Sequence, residues 1–188
     1  VVDIAPYDYP DWALHSVHLE PMAAADFRIP VESEGPVKVR VIRAVPGMVH
    51  TEEEIVEMAP EDGSLAADPD RDLVKAAVFY RHAPKEGATG TSTFGFVTGL
   101  TFKPGAAFAS TVAHDCHNLL VLGTDDAAMA TAANAVIEMD GGMVVVADGG
   151  VAARLPLPVG GLMALDAADV VAHRVEGIEE GLKAAGCP

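Results

Sequence analysis

Residues 106–123 read AAFASTVAHDCHNLLVLG, and this stretch contains the pattern that decides the fold. Two short apolar runs, Ala106–Ala113 and Leu119–Leu122, have the length of buried strands rather than of helices. The polar residues 114–118 separate the runs at a turn. The pattern therefore predicts two buried strands, with a cluster of polar side chains presented together between them.

A helix is predicted directly after the second run. Thr124 is of a residue type that caps helices through its side-chain oxygen, and we expect it to begin the helix. The carboxylates of Asp125 and Asp126 complement the positive end of the helix dipole. The apolar stripe of this helix consists of Met129, Ala133, Val136 and Ile137. We expect Gly141-Gly142 to end it.

A second helix is predicted near the end of the chain, starting near Asp166. Its apolar stripe consists of Val171, Val175, Ile178 and Leu182. Gly177 and Gly181 each cost about 1 kcal/mol relative to alanine within a helix. We expect these two glycines to allow the helix to pack closely against its neighbours.

The rest of the chain adds short strands and loops. Residues 48–58 fit either a strand or a short acidic helix, and Phe94–Phe102 fits either a bulged strand or a closely packed helix. Residues 59–71 and 83–92 have the composition of loops. Strands are predicted at Val37–Arg43, Leu73–Arg81, Met143–Val146 and Val151–Leu155. Together these predicted elements indicate an α+β fold, in which two helices pack on a mixed sheet of short strands.

Residues 1–36 differ from the rest because prolines interrupt them. Proline removes a backbone donor and clashes inside helices, so long helices cannot run through this part. We expect residues 1–36 to form an extended, Pro-rich docking arm that includes Tyr9–Trp12. Residues 37–188 are expected to form the α+β domain.

The charge and composition exclude several classes of protein. The chain has 28 Asp+Glu against 12 Lys+Arg, a formal net charge of −16, so it repels nucleic-acid backbones and anionic membranes. No apolar run approaches the roughly 20 residues that a membrane-spanning helix needs. Two cysteines are too few for a disulfide framework, and no signal peptide is visible, so we expect a cytoplasmic protein. The acidic residues 52–72 fit a solvated surface better than a cation site.

The polar turn is the main candidate for chemistry. It contains His114, Asp115, Cys116, His117 and Asn118. Imidazole, carboxylate and thiol groups bind metals and perform acid–base chemistry near neutral pH. Histidine neighbours also lower the pKa of a thiol, so a Cys-His nucleophile pair is one interpretation of Cys116. The alternative is a structural turn whose polar groups satisfy one another.

Arg81 and His82 form a second candidate pair, because they follow a predicted strand and we expect them at the same sheet end as the turn. The planar guanidinium of arginine holds a carboxylate or an aromatic base. The alternative is a salt bridge at the end of the strand. Both readings remain open from these residues alone.

Two segments carry a resemblance to a known family: the His-Asp-x-His-Asn motif at 114–118 and Leu-Pro-Leu-Pro-x-x-Gly-Leu-Met at 155–163. Shorter matches run in order along nearly the whole chain: Tyr9–Ala13, Asp26–Ile29, Val39–Ile42, Arg81-His82, Gly95–Gly99, Gly105–Ala113, Gly123–Asp126 and Gly141-Gly142. In these features the chain resembles the C-terminal domain of bacterial adenine deaminases, which belong to the amidohydrolase superfamily. It departs from the family pattern at Cys116, where serine is usual, at Ala164, where serine is usual, and at Tyr80, where glutamate is usual.

The resemblance implies part of an enzyme that converts adenine and water to hypoxanthine and ammonia. Its catalytic residues here would be His114, Asp115, His117 and Asn118, and Arg81, His82 and Cys116 would shape the substrate site. The resemblance places no metal ligand in this chain. A divalent metal (Mn, Fe or Zn) is expected in a partner barrel, because 188 residues cannot contain a TIM barrel as well.

The resemblance also implies partners: a barrel chain or domain of the amidohydrolase type, a small purine-like substrate, and a homo- or hetero-oligomer. Three alternatives stay open. The chain is a structural or oligomerisation module, or it belongs to a related hydrolase of cyclic amidines or amides with another substrate. In the third alternative it binds metal independently through His114, Cys116 and His117.

Overall fold

Strands outnumber helices along the described part of the chain. This computed structural model describes residues 7–82 and 92–187. The strands are β1 Ile29–Pro30, β2 Val37–Ala44, β3 Thr51–Met58, β4 Ser64–Leu65, β5 Val74–Phe79, β6 Ser92–Thr98, β7 Ala107–Ser110, β8 Leu119–Gly123, β9 Gly142–Ala147 and β10 Gly150–Pro156. The helices are α1 Asp11–Leu14, α2 Asp126–Glu138 and α3 Ala168–Ala184, and 3-10 turns lie at Ala24–Phe27 and Pro69–Arg71.

Eight of these strands form one mixed sheet in the order β10-β9-β7-β8-β5-β6-β2-β3, and β1 and β4 form a separate pair. All neighbours in the large sheet are antiparallel except β2 and β6, which are parallel.

Helix α2 covers one face of the sheet. Its predicted stripe is confirmed, because Met129, Ala133 and Val136 are fully buried. They pack in one core cluster with sheet residues that include Val144 and Val146. Since these two alternate with Val145 along β9, their side chains share one face of the sheet.

Helix α3 covers the opposite face, because Ile178 packs in a second core cluster with Val145. The prediction that a glycine allows close packing is confirmed at Gly181, where an added Cβ would lie 3.3 Å from the Cβ atoms of Ala153 and Val145. It is wrong at Gly177, which has open space around it. The predicted stripe is also wrong at Val175, which is exposed.

The predicted α+β fold, with two long helices on a mixed sheet that is not closed into a barrel, is confirmed. The two open assignments are resolved as strands: β3 (Thr51–Met58) occupies most of residues 48–58, and β6 (Ser92–Thr98) covers the first five residues of Phe94–Phe102. The predicted cap of α2 is wrong by one residue. Asp125 is the N-cap and accepts a hydrogen bond from the Ala128 amide, whereas the Thr124 hydroxyl donates to Lys103 O at 2.8 Å.

Residues before β2 reach the core beneath α2 through the side chain of Phe27. Phe27 is fully buried in the cluster beneath α2. The amine of the buried Lys75 donates to Phe27 O at 3.0 Å and contacts the Asp126 carboxylate at 2.5 Å.

The predicted loop at 83–92 lies mostly outside the described residues. Within the described part of the chain, no helix combines the length and apolar character needed to cross a bilayer.

Candidate functional site

Arg81 lies just after β5 and is the largest fully buried side chain among the described residues. Its guanidinium reaches three segments that are distant in sequence. Nε donates to His117 O at 2.5 Å, and Nη2 donates to Gly160 O at 2.8 Å. Nη1 donates to the carbonyl and the hydroxyl of Ser16 at 2.9 and 2.8 Å. Arg81 therefore joins the arm, the polar turn and the segment after β10 at one end of the sheet.

This geometry brings Arg81 and the turn together, as the sequence predicts. The alternative prediction of a salt bridge at the strand end is wrong within residues 7–82 and 92–187, because every acceptor of Arg81 there is an uncharged oxygen. Burial lowers the pKa of the guanidinium, because the charged form loses hydration without a counter-charge. The arrangement therefore places one buried positive charge at this end of the sheet.

The polar turn is held in a strained backbone conformation. The His117 amide donates to Ala113 O at 2.8 Å, which closes one helical turn. Asp115 and His117 both have positive φ, 78° and 49°. Residues other than glycine seldom adopt such values, and they persist only where surrounding contacts hold them. The bond from Arg81 to His117 O is one such contact.

The five candidate side chains of the turn divide into two groups. His114, Asp115 and Cys116 are exposed to solvent. His117 and Asn118 are half-buried, and His117 Nδ1 and Asn118 Oδ1 are enclosed atoms with no hydrogen-bond partner among the described residues. An enclosed polar atom without a partner is costly, so these two atoms are available to a group supplied from outside this part of the chain.

His82 lies beside this cluster. Its pKa is lowered by partial burial and then by the positive charges of Arg81, His18 and His117. Its ring also meets the Tyr80 ring edge-on, with centroids 5.4 Å apart. A lowered pKa keeps His82 neutral near pH 7, so one of its ring nitrogens can accept a hydrogen bond.

The structure adds residues that the sequence analysis did not select. Thr111 is fully buried, donates to Gly161 O at 2.6 Å and accepts from the Gly142 amide at 2.8 Å. The His18 amide donates to Arg81 O at 2.8 Å. Gly161, three residues after the Leu-Pro-Leu-Pro run, is the sequence signal for these contacts, because an added Cβ there would meet the Arg81 guanidinium.

The described residues do not fit a metal ion. Within 7–82 and 92–187, no three His, Cys, Asp or Glu side chains are grouped so that they could hold one. His114, Cys116 and His117 in particular do not form such a group, so the alternative of an independent metal site in the turn has no support.

Comparison with known proteins gives a consistent family assignment. A family model described as the adenine deaminase C-terminal domain matches residues 48–188. The chain is 44% identical over 185 residues to the adenine deaminase of Clostridium botulinum (strain Loch Maree / Type A3), covering 98% of the chain and 30% of that relative.

Two further curated relatives are similar over the full chain. Identity is 43% over 189 residues with the adenine deaminase of Moorella thermoacetica, and the match covers 100% of this chain and 31% of that relative. It is 44% over 189 residues with the adenine deaminase of Rubrobacter xylanophilus, where the coverage is 100% and 30%. The chain spans less than a third of the length of these relatives. With its α+β sheet and its family match over three quarters of its length, the chain belongs to the family of adenine deaminase C-terminal domains.

Proposed function

We propose that this chain is the C-terminal part of an aminohydrolase that converts adenine and water to hypoxanthine and ammonia. In this proposal a barrel outside the chain performs the hydrolysis, and the turn His114–Asn118 shapes the entrance to its site together with Arg81 and His82. A divalent metal (Mn, Fe or Zn) that activates water would be held by the barrel, because the described residues do not fit one.

The observation that carries this proposal is a pair of enclosed atoms, His117 Nδ1 and Asn118 Oδ1, on a turn that Arg81 holds in place. Neither atom has a hydrogen-bond partner among the described residues. A turn that only supports the fold would satisfy its own enclosed polar atoms. The family match favours adenine as the substrate, and the purine ring and its amino group offer both hydrogen-bond donors and acceptors.

Each residue has a separate task in this proposal. Arg81 is a positioning residue, because its four donor contacts hold the backbone of the turn and the segment at Gly160. His117 and Asn118 would hydrogen-bond the substrate or the barrel beside it. His114 and Asp115 are exposed and so can face the barrel directly.

A chimera tests the proposal. The matched third of the Moorella thermoacetica adenine deaminase is replaced by this chain, and ammonia release from adenine is measured. We expect the chimera to be active and expect His117→Ala and Asn118→Ala each to lower kcat/KM about tenfold or more, the equivalent of one lost hydrogen bond. His173→Ala, whose side chain is 88% exposed on α3, is the matched control and should leave the rate unchanged.

The competing function is a purely structural module. The contacts of Arg81 favour it, because each hydrogen bond that Arg81 donates among the described residues goes to an uncharged oxygen of this same chain. If both turn variants lower the thermal stability of the chimera but leave kcat/KM intact, the turn is structural and the site-shaping role is wrong. A change in kcat/KM with unchanged stability supports the proposal.

A further inference from the structure

An apolar groove of about 420 Å³ lies between the arm and the segment that follows β10. None of the residues that line the groove is charged. Its walls include Tyr7, Tyr9, Trp12, Val159, Leu162 and Met163. In a chain with 28 acidic residues, an uncharged concave surface of this size points to an apolar occupant.

The side chains around the groove are unusually exposed for their type. Trp12, the only tryptophan of the chain, is 78% exposed, and Tyr7 is 73% exposed. Met163 is 57% exposed, and so, at 58%, is Leu165, two residues further along the chain. Tryptophan, tyrosine and methionine are enriched in protein interfaces, where the large rings supply most of the binding free energy.

The groove is continuous with the candidate site. The Gly160 amide donates to Ala13 O at 2.6 Å, which joins the two walls of the groove. The carbonyl of the same residue accepts the bond from Arg81 Nη2, and Arg81 holds His117. A segment bound in the groove would therefore lie beside the polar turn, at the same end of the sheet.

The length of the relatives indicates what occupies the groove. In each of the three curated relatives, the part outside the match is more than twice as long as the part that matches this chain. Because the family is that of a C-terminal domain, the remaining chain precedes it, and the groove is built from the first described residues, Tyr7–Trp12. Covalent attachment next to the groove gives that preceding part a high effective concentration there.

We propose that the groove receives an apolar segment of the catalytic part that precedes this domain in the full-length protein. This inference rests on the proposed function, because it assumes that such a part works with the domain. Docking would bury Trp12 and Met163 and would set the turn at 114–118 against the catalytic part. A second copy of this chain is the competing occupant.

Methionine oxidation tests whether the groove is covered. Met163 and Met48 are matched, with exposed fractions of 57% and 58%, and Met48 lies in the distant β2–β3 turn. Peroxide converts exposed methionines to sulfoxides, which mass spectrometry quantifies residue by residue. Relative to the 188-residue chain, we expect oxidation of Met163 to slow about tenfold or more in the Moorella chimera, as removal from solvent would cause, while Met48 is unchanged. Equal rates for Met163 in both proteins would overturn the proposal.

Photo-crosslinking identifies the occupant. A benzoylphenylalanine replaces Trp12 in the chimera, and the crosslinked peptides are sequenced. We expect them to derive from the preceding catalytic part. Peptides from a second copy of the domain, or no crosslink at all, would overturn the proposal. Trp12→Ser should restore Met163 oxidation in the chimera, and Val49→Ser, at a fully exposed apolar residue away from the groove, should not.

These readouts do not depend on activity, so the two proposals can fail separately. Crosslinks to the catalytic part with unchanged kcat/KM in the turn variants leave the docking proposal standing and remove the site-shaping role. If the turn variants lower kcat/KM but Met163 is not protected from oxidation, the site-shaping role stands and the docking proposal is wrong.

Discussion

The guanidinium of Arg81 lies directly against Gly161, in space that any other residue would fill. A Cβ added to Gly161 would stand 2.9 Å from the carbon and both terminal nitrogens of the guanidinium. Gly161 also has a φ of +72°, a conformation that side chains disfavour. The position of Arg81, and with it the turn at His117, therefore depends on the absence of a side chain at residue 161.

Gly161→Ala should destabilise the protein more than Gly160→Ala. Both residues have positive φ, +72° and +65°, so each substitution carries the backbone strain of about 1–3 kcal/mol. A Cβ on Gly160 meets open space, whereas one on Gly161 displaces Arg81. Urea unfolding measures both, and equal losses would mean that Arg81 adjusts without cost.

Arg81→Met should lower the free energy of unfolding by about 3 kcal/mol or more, since acceptors on Ser16, His117 and Gly160 each lose a donor at about 1 kcal/mol or more. Arg81→Lys should lower it by less, because lysine keeps the charge but not the planar fork. Arg154→Met is the control. Arg154 is about half exposed in a surface pair with Glu138, and its replacement should change stability by no more than about 0.5 kcal/mol.

Thr111→Val should cost about 1–3 kcal/mol, because it leaves Gly161 O and the Gly142 amide without their buried partner. Thr131→Val is the matched control: the Thr131 hydroxyl donates to Ala127 O within α2 and is exposed, so we expect a change within about 0.5 kcal/mol. Thermal unfolding followed by circular dichroism compares the two. Similar losses would contradict a supporting role for Thr111.

His82 should titrate below its ordinary pKa of 6.5, because burial and the charges of Arg81, His18 and His117 disfavour its protonation. The unfolded chain then binds the proton more readily than the folded one. Stability from this group is complete above pH 6.5 and falls as the pH drops toward the lowered folded value. An NMR titration of the His82 ring measures the midpoint. His18→Gln should raise that midpoint, and a midpoint of 6.5 or higher in the unaltered chain would contradict the arrangement.

Thiol reagents should label Cys116 before Cys187 at neutral pH. Cys116 is exposed on the turn, whereas Cys187 is partly buried. Burial, with a contribution from Asp72, raises the pKa of the Cys187 thiol and so reduces its reactive thiolate. Mass spectrometry with Cys116→Ser and Cys187→Ser resolves the order. Faster labelling of Cys187 would contradict it.

The sequence predicts the elements well where one physical signal dominates. The apolar run at Ala106–Ala113 contains the observed strand β7, and the run at Leu119–Leu122 matches β8 to within one residue. The stripe through Met129 and Val136 is the buried face of α2. The sequence is weaker at Thr124 and Asp125, because both are good capping residues and only the tertiary contact to Lys103 O takes Thr124 away. Val175 repeats at helical spacing, yet it is exposed, whereas Ile178 one turn later is buried.

The sequence by itself determined which residues are chemically capable: the turn at 114–118, the pair Arg81-His82, and a family resemblance that the comparisons confirm. Only the tertiary structure decided how they act together. It joins Ser16, His117 and Gly160 on one buried guanidinium and leaves Trp12 at the edge of an open groove. Within residues 7–82 and 92–187, it leaves His117 Nδ1 and Asn118 Oδ1 without partners. Local patterns report the preferences of neighbouring residues, whereas contacts between segments 65 and 79 residues apart depend on how the whole sheet is assembled.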